Sequence, residues 1–133
     1  MPEVCKELQA INEILSKANA HVGYRVRDEI VFYMLNNKVE DELLTYDEAF
    51  DNEIMQKILP RIQGSSVSII NMLCELFKIC ALDQNQKNGD TASERMRKVL
   101  SDASIKCKYR KSAEKLELMV RRFEEDGFTS YWL

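Results

Sequence analysis

The stretch His21-Val22-Gly23-Tyr24-Arg25-Val26-Arg27-Asp28-Glu29-Ile30 sets two guanidinium groups close behind a glycine. Gly23 permits a tight turn, and Arg25 and Arg27 follow within what the apolar spacing makes the first turn of a helix. A helix dipole favours acids at that end, so arginines there point to an anion to be bound. The planar fork of donors on each arginine suits phosphate oxygens. The plain alternative is that Arg25 and Arg27 pair with Asp28 and Glu29. On residue chemistry alone the two stand level.

Two further clusters could make contacts. Lys106-Cys107-Lys108-Tyr109-Arg110-Lys111 is the densest run of cations. It reads either as a solvated connector between helices or as a patch for phosphate or an acidic partner surface. The final six residues, Phe128-Thr129-Ser130-Tyr131-Trp132-Leu133, form an aromatic tail. Left free, it would expose a sizeable apolar patch, so Phe128 and Trp132 are expected to fold back on the protein. The alternative is a docking tail, with Phe128, Tyr131 and Trp132 reserved for a partner.

Other chemistry has no support. Cys5, Cys74, Cys80 and Cys107 contain no Cys-x-x-Cys pair, and the single His21 cannot complete a zinc set or partner a catalytic thiol. Gly-x-x-x-x-Gly-Lys-Ser/Thr, Gly-x-Gly-x-x-Gly and Gly-x-Ser-x-Gly are all absent. Adjacent acids such as Asp28/Glu29 and Asp47/Glu48 read as helix N-terminal charges. An independent enzyme is not expected, nor is a metal.

The elements that would hold these groups are helical. Val4, Leu8, Ile11 and Leu15 make one amphipathic stripe of a helix ending near Ala18. A second helix is expected from Tyr24 to Leu35, with Val26, Ile30, Val31, Met34 and Leu35 inward and Asn36-Asn37 as its stop. Thr45-Tyr46-Asp47-Glu48 forms a capping box for a helix carrying Ala49, Phe50, Ile54 and Ile58 and ended by Pro60. Gly64-Ser65-Ser66 reads as a turn before a helix over Val67–Leu82 that is apolar on more than one side and hence central.

Residues 84–90 read as a mobile loop. Thr91-Ala92-Ser93-Glu94 is a second capping box, opening a helix with Met96, Val99 and Leu100. Ser112 is expected to cap the last helix, with Ala113, Leu116, Met119, Val120 and Phe123 inward and Gly127 at its C-terminal cap. Strand signals survive only weakly, in the tail and in Ile105 to Tyr109. The fold expected is all-α, a five- or six-helix bundle, over a single domain, 1–133.

Composition agrees. The 133 residues are 45% apolar and 31% charged, with only 4 Gly and 2 Pro, which excludes a disordered chain and a turn-rich β-sandwich. No apolar run could span a membrane and no signal peptide is visible, so the expected address is the cytoplasm, with reduced thiols and no membrane partner. The net charge of −3 makes no case for a dedicated nucleic-acid binder. It divides unevenly: residues 1–84 hold 8 basic and 14 acidic side chains, and residues 85–133 hold 11 and 8.

Four segments together resemble a known family: Gly23-Tyr24-Arg25-Val26-Arg27-Asp28-Glu29-Ile30, Met55-Gln56-Lys57-Ile58-Leu59-Pro60-Arg61-Ile62-Gln63-Gly64-Ser65, Ser112-Ala113-Glu114-Lys115, and Arg121-Arg122-Phe123-Glu124-Glu125-Asp126-Gly127-Phe128-Thr129-Ser130. They are similar to the C-terminal part of AAA+ NTPases of the McrB type, a small helical lid that follows the nucleotide-binding core. The resemblance runs over about residues 8–132, and its specific parts are Gly-Tyr-Arg and Leu-Pro-Arg-Ile-x-Gly-Ser. It implies that Arg25 is a sensor-2 arginine reaching the terminal phosphates, with Arg27 as its neighbour. The Walker A lysine, Walker B acids, sensor 1 and arginine finger of that family would lie in the core.

The resulting expectation is a lid of a McrB-like motor in DNA restriction and defence, not catalytic alone. It implies no cofactor for the isolated chain and ATP or GTP with magnesium once joined to a core. The partners implied are an AAA+ core subdomain or neighbouring subunit and a restriction nuclease subunit, with direct DNA contact left open. The rival expectation is a free-standing helical module that binds protein or nucleic acid through the 106–111 segment and the aromatic tail.

Overall fold

A computed structural model describes residues 2–17, 23–39, 44–81, 91–102 and 107–132. The expected loop at 84–90, His21 and Lys106 lie outside the described residues. The helices run as α1 (Pro2–Ser16), α2 (Tyr24–Val39), α3 (Tyr46–Glu53), α4 (Val67–Ala81), α5 (Ala92–Ser101) and α6 (Arg110–Asp126). Between α3 and α4 lie a π-helical turn (Ile54–Ile58), a 3-10 turn (Leu59–Arg61) and β1 (Gln63–Gly64); β2 (Thr129–Ser130) follows α6. The class is all-α, and no helix among the described residues is long and apolar enough to cross a membrane.

Apolar stripes account for the packing. Val4, Leu8, Ile11 and Leu15 are all buried on the inner side of α1. The α4 helix buries Ile69, Met72, Leu73, Leu76, Phe77, Cys80 and Ala81, one broad face at helical spacing, with Ile70, Cys74 and Ile79 only partly buried beyond it, and it packs most extensively on α6. The other helices close around this pair: α5 on α6, α1 on α4, and α2 on α3. Burying about a dozen large side chains beyond contact with water is the main force holding such a bundle together.

Local chemistry sets the ends. Thr91 accepts from the Glu94 amide at 3.3 Å and Glu94 accepts from the Thr91 amide at 3.3 Å, a complete capping box. At α3 the Thr45 hydroxyl accepts from the Glu48 amide at 3.2 Å, while its own proton goes to the Glu48 carboxylate at 2.9 Å. Gly127 adopts the left-handed conformation (φ 73°) that closes α6, with its amide on the Phe123 carbonyl at 2.8 Å.

Four expectations need correction. Asn36-Asn37 do not stop α2, which runs on to Val39. The Asn37 side chain donates to the Leu44 carbonyl (2.9 Å) and accepts from the Leu44 amide (3.2 Å), so its polar group is satisfied outside the helix. Pro60 does not end a regular helix; it sits inside the 3-10 turn, after the backbone has already widened into the π-helical turn.

Ser112 is not the cap of α6, which begins at Arg110 after Tyr109. The cap comes from α3: the buried Asp51 carboxylate accepts from the amides of Lys111 (2.9 Å) and Ser112 (2.8 Å), and from the Ser112 hydroxyl. A carboxylate at a helix N-terminus satisfies free amides and complements the dipole at once. Beside it, Phe50 meets Tyr109 with ring centroids 5.2 Å apart, which stitches α3 to the start of α6.

Finally, Phe128 and Trp132 do not fold back. They are 42% and 76% exposed. The part of the tail that returns is Thr129–Ser130, pairing antiparallel with Gln63–Gly64. Thr129 is buried and its hydroxyl donates to the Met119 carbonyl at 2.8 Å. Hydrogen bonds, not aromatic burial, fasten the segment.

Candidate functional site

The start of α2 is built around Gly23, whose carbonyl accepts the Arg27 amide at 3.2 Å. Gly23 is not one of the positive-φ glycines. Arg25 projects with 93% of its side chain exposed, and its Nε lies 3.8 Å from Glu29 one turn on. Glu29 in turn lies 3.3 Å from Lys57 Nζ on the π-helical turn. Arg27 lies 3.8 Å from Asp28 and 4.6 Å above the Tyr24 ring. Side chains two apart on a helix point away from each other, and the structure does not bring Arg25 and Arg27 together. Arg27 lines a cleft of about 680 Å³ between α1 and α2 with Cys5, Leu8 and Tyr24, which Arg25 does not enter.

Arg25 shares its side of α2 with Phe32, seven residues on. Tyr24, Phe32 and Leu35 are 76%, 66% and 37% exposed, whereas Ile30 and Met34 are buried. Positions i, i+8 and i+11 form one stripe, on the side of α2 opposite Ile30 and Met34. Leu35, expected inward, belongs to this outer stripe. Phe32 is not among the expected inward residues, and apolar residues on both sides of α2 are the signal for its outer position.

A second group missed in the sequence is Glu53, buried on α3 with Oε2 lacking a hydrogen-bond partner. Burial holds its carboxyl above the usual range; nearby Lys57 lowers it and Glu29 raises it. The acids and bases around Arg25 therefore form one chain, Arg25–Glu29–Lys57, with Glu53 beneath it.

The 106–111 run is largely spent on the fold. Lys108 pairs with Glu7 at 2.7 Å, and Arg110 meets Glu114 at 3.1 Å and the Leu100 carbonyl at 2.8 Å. The Lys111 side chain is exposed, its amide held by Asp51. The Cys80 thiol is buried in the core, and burial pushes it up beyond any use as a nucleophile at neutral pH. In the tail, Tyr131 is half-buried, with Trp132 edge-on at 5.0 Å.

A family model described as "Domain of unknown function (DUF8727)" matches residues 1–128. The chain belongs to the DUF8727 family. No curated protein and no solved structure matches it. What this DUF8727 domain offers chemically on α2 is an extended guanidinium, Arg25, loosely tied to Glu29 and on the side of the helix that carries exposed Phe32. Such a group can stabilise negative charge on something held opposite it, and that side of α2 can hold that something in place.

Proposed function

We propose that this DUF8727 domain is a helical lid of a McrB-like AAA+ NTPase that acts in DNA restriction, in the cytoplasm. In this reading the outer face of α2 meets a nucleotide-binding core or a neighbouring subunit, and Arg25 approaches the terminal phosphates of ATP or GTP held there with magnesium. The observation that carries the reading is the outer side of α2: Arg25 stands 93% exposed, and Phe32, two turns on along the same side, is 66% exposed. Exposed apolar stripes of this kind mark contact surfaces. The resemblance of Gly23-Tyr24-Arg25 to the sensor-2 motif supplies the identity of the contact.

Chemistry would be shared between parts. The core would supply the phosphate cradle and the metal-binding acids; Arg25 would add a positive charge where the transferring phosphoryl group becomes more negative. Its link to Glu29 is long and exposed, so little is lost when Arg25 swings to a phosphate. Without a core, the chain hydrolyses nothing.

The test supplies a McrB-type nucleotide-binding core in trans and follows NTP turnover. Turnover should rise on adding the chain. Arg25→Ala should cut that turnover on the order of a thousandfold, the scale set by arginines aimed at a phosphoryl group, while thermal melting stays within about 2 °C of the parent. A large fall in melting temperature with turnover per folded molecule unchanged would make Arg25 structural. No effect of the chain on any such core would point to the free-standing module instead.

A further inference from the structure

We propose that the cleft between α1 and the start of α2 binds a small, flat organic monocarboxylate. Its α1 wall holds Cys5, Leu8, Gln9 and Asn12, which recur at three- and four-residue spacing along one side of that helix. Its α2 wall holds Tyr24 and Arg27, three residues apart and likewise on one side. The space between them is about 680 Å³, the size of pockets that take a metabolite-sized molecule.

The lining sets the chemistry of the occupant. Leu8 is 5% exposed and forms an apolar floor. At the rim the Arg27 guanidinium sits 4.6 Å from the centroid of the Tyr24 ring. A guanidinium held over an aromatic face keeps the N–H donors of its edge available. The ion pair of Arg27 among the described residues is with Asp28 at 3.8 Å, beyond hydrogen-bond length, and Asp28 does not line the cleft. A carboxylate in the cleft can therefore take those donors in charge-assisted, bidentate fashion.

Charge sets the number of negative groups. Arg27 is the one charged side chain among the described lining residues, so it matches a single negative charge and leaves the further charges of a polyphosphate without a partner. Leu8 and the face of Tyr24 suit a flat apolar body attached to that carboxylate. Gln9 and Asn12 add carboxamides, which both donate and accept, for a polar substituent on it. Arg25 does not enter the cleft, and the proposal stands independently of the lid reading.

Cys5 brings an exposed thiol to the cleft, so its alkylation reports on occupancy. The whole chain is treated with iodoacetamide in the presence of 2-naphthoate, its neutral counterpart 2-naphthamide, or inorganic phosphate. Peptide mass spectrometry follows Cys5, and calorimetry gives the affinities. 2-Naphthoate should bind saturably and slow alkylation of Cys5 while leaving that of Cys107 unchanged; the amide and phosphate should do neither. Arg27→Gln should weaken 2-naphthoate binding about tenfold, the loss of one charge-assisted pair. Tyr24→Ser, which carries the same test if the first variant fails to fold, should weaken it severalfold. Absence of saturable 2-naphthoate binding, binding that leaves Cys5 unprotected, equal binding of the amide, binding of phosphate, or parent-like affinity in the folded variants overturns the proposal.

Discussion

At the scale of single residues, two acids within three positions on α3 do opposite things. Asp51 is buried but fully engaged, holding the first amides of α6 from 61 residues away in sequence. Asp51→Ala leaves the Lys111 and Ser112 amides without an acceptor, while the Ser112 hydroxyl keeps the residue-51 carbonyl, and should cost about 2–3 kcal/mol in urea unfolding, with Asp51→Asn losing less. Glu53 is buried with one oxygen unsatisfied, and burial raises its pKa above the ordinary 4.5. Its folded pKa then exceeds its unfolded one, so the folded state binds more protons in between and stability falls as pH rises through that window. Glu53→Gln should therefore stabilise the domain near neutral pH, and the gain should vanish on acidification below 4.5; unfolding curves across that range check it. Neither role was legible in the sequence, because each depends on a neighbour brought by folding. Arg25 was legible as a candidate, and so was its pairing with Glu29; the tie from Glu29 to Lys57 was not, since it crosses from α2 to the π-helical turn.

At the scale of elements, amphipathic spacing located the helices, and Thr91, Thr45 and Gly127 marked ends that chemistry makes recognisable. At Asn37 and at the start of α6 a partner outside the helix replaces the local signal. Asparagine breaks helices when its amide turns to its own backbone, but Leu44 takes the Asn37 amide. The β1–β2 ribbon was legible only as a faint strand tendency in the tail, because two-residue strands carry no alternation to detect. Gly64 carries the ribbon. Its φ is +146°, and an added Cβ would lie 3.1 Å from Ile69 Cγ1. Gly127 is also left-handed, yet a Cβ there meets nothing within 4 Å. Gly64→Ala should thus cost more, about 1–3 kcal/mol against roughly 1 kcal/mol for Gly127→Ala, since only the first adds a clash to the backbone strain. Parallel denaturation of the two variants decides the order.

At the scale of the whole molecule, α2 is the helix whose apolar content exceeds what the bundle covers. Ile30 and Met34 face the core, Phe32 and Leu35 face away from it, and Tyr24 stands exposed at the rim of the cleft against α1. A sequence reading that assumes one inward stripe per helix must misplace some of these residues, as it does Leu35, because periodicity says where side chains lie around an axis and not which neighbours exist. The difference is measurable. Ile30→Ala removes a side chain from the core and should cost about 2–4 kcal/mol. Phe32→Ser removes a larger side chain that is 66% exposed, and should change stability by no more than about 0.5 kcal/mol. If α2 meets a nucleotide-binding core through this face, Phe32→Ser should also abolish the gain in turnover on adding the chain, as Arg25→Ala does, but by weakening association: raising the chain concentration restores turnover for Phe32→Ser and not for Arg25→Ala. A loss of stability in Phe32→Ser equal to that in Ile30→Ala would mean that the stripe is already covered within the domain, and the contact face would have to be sought elsewhere.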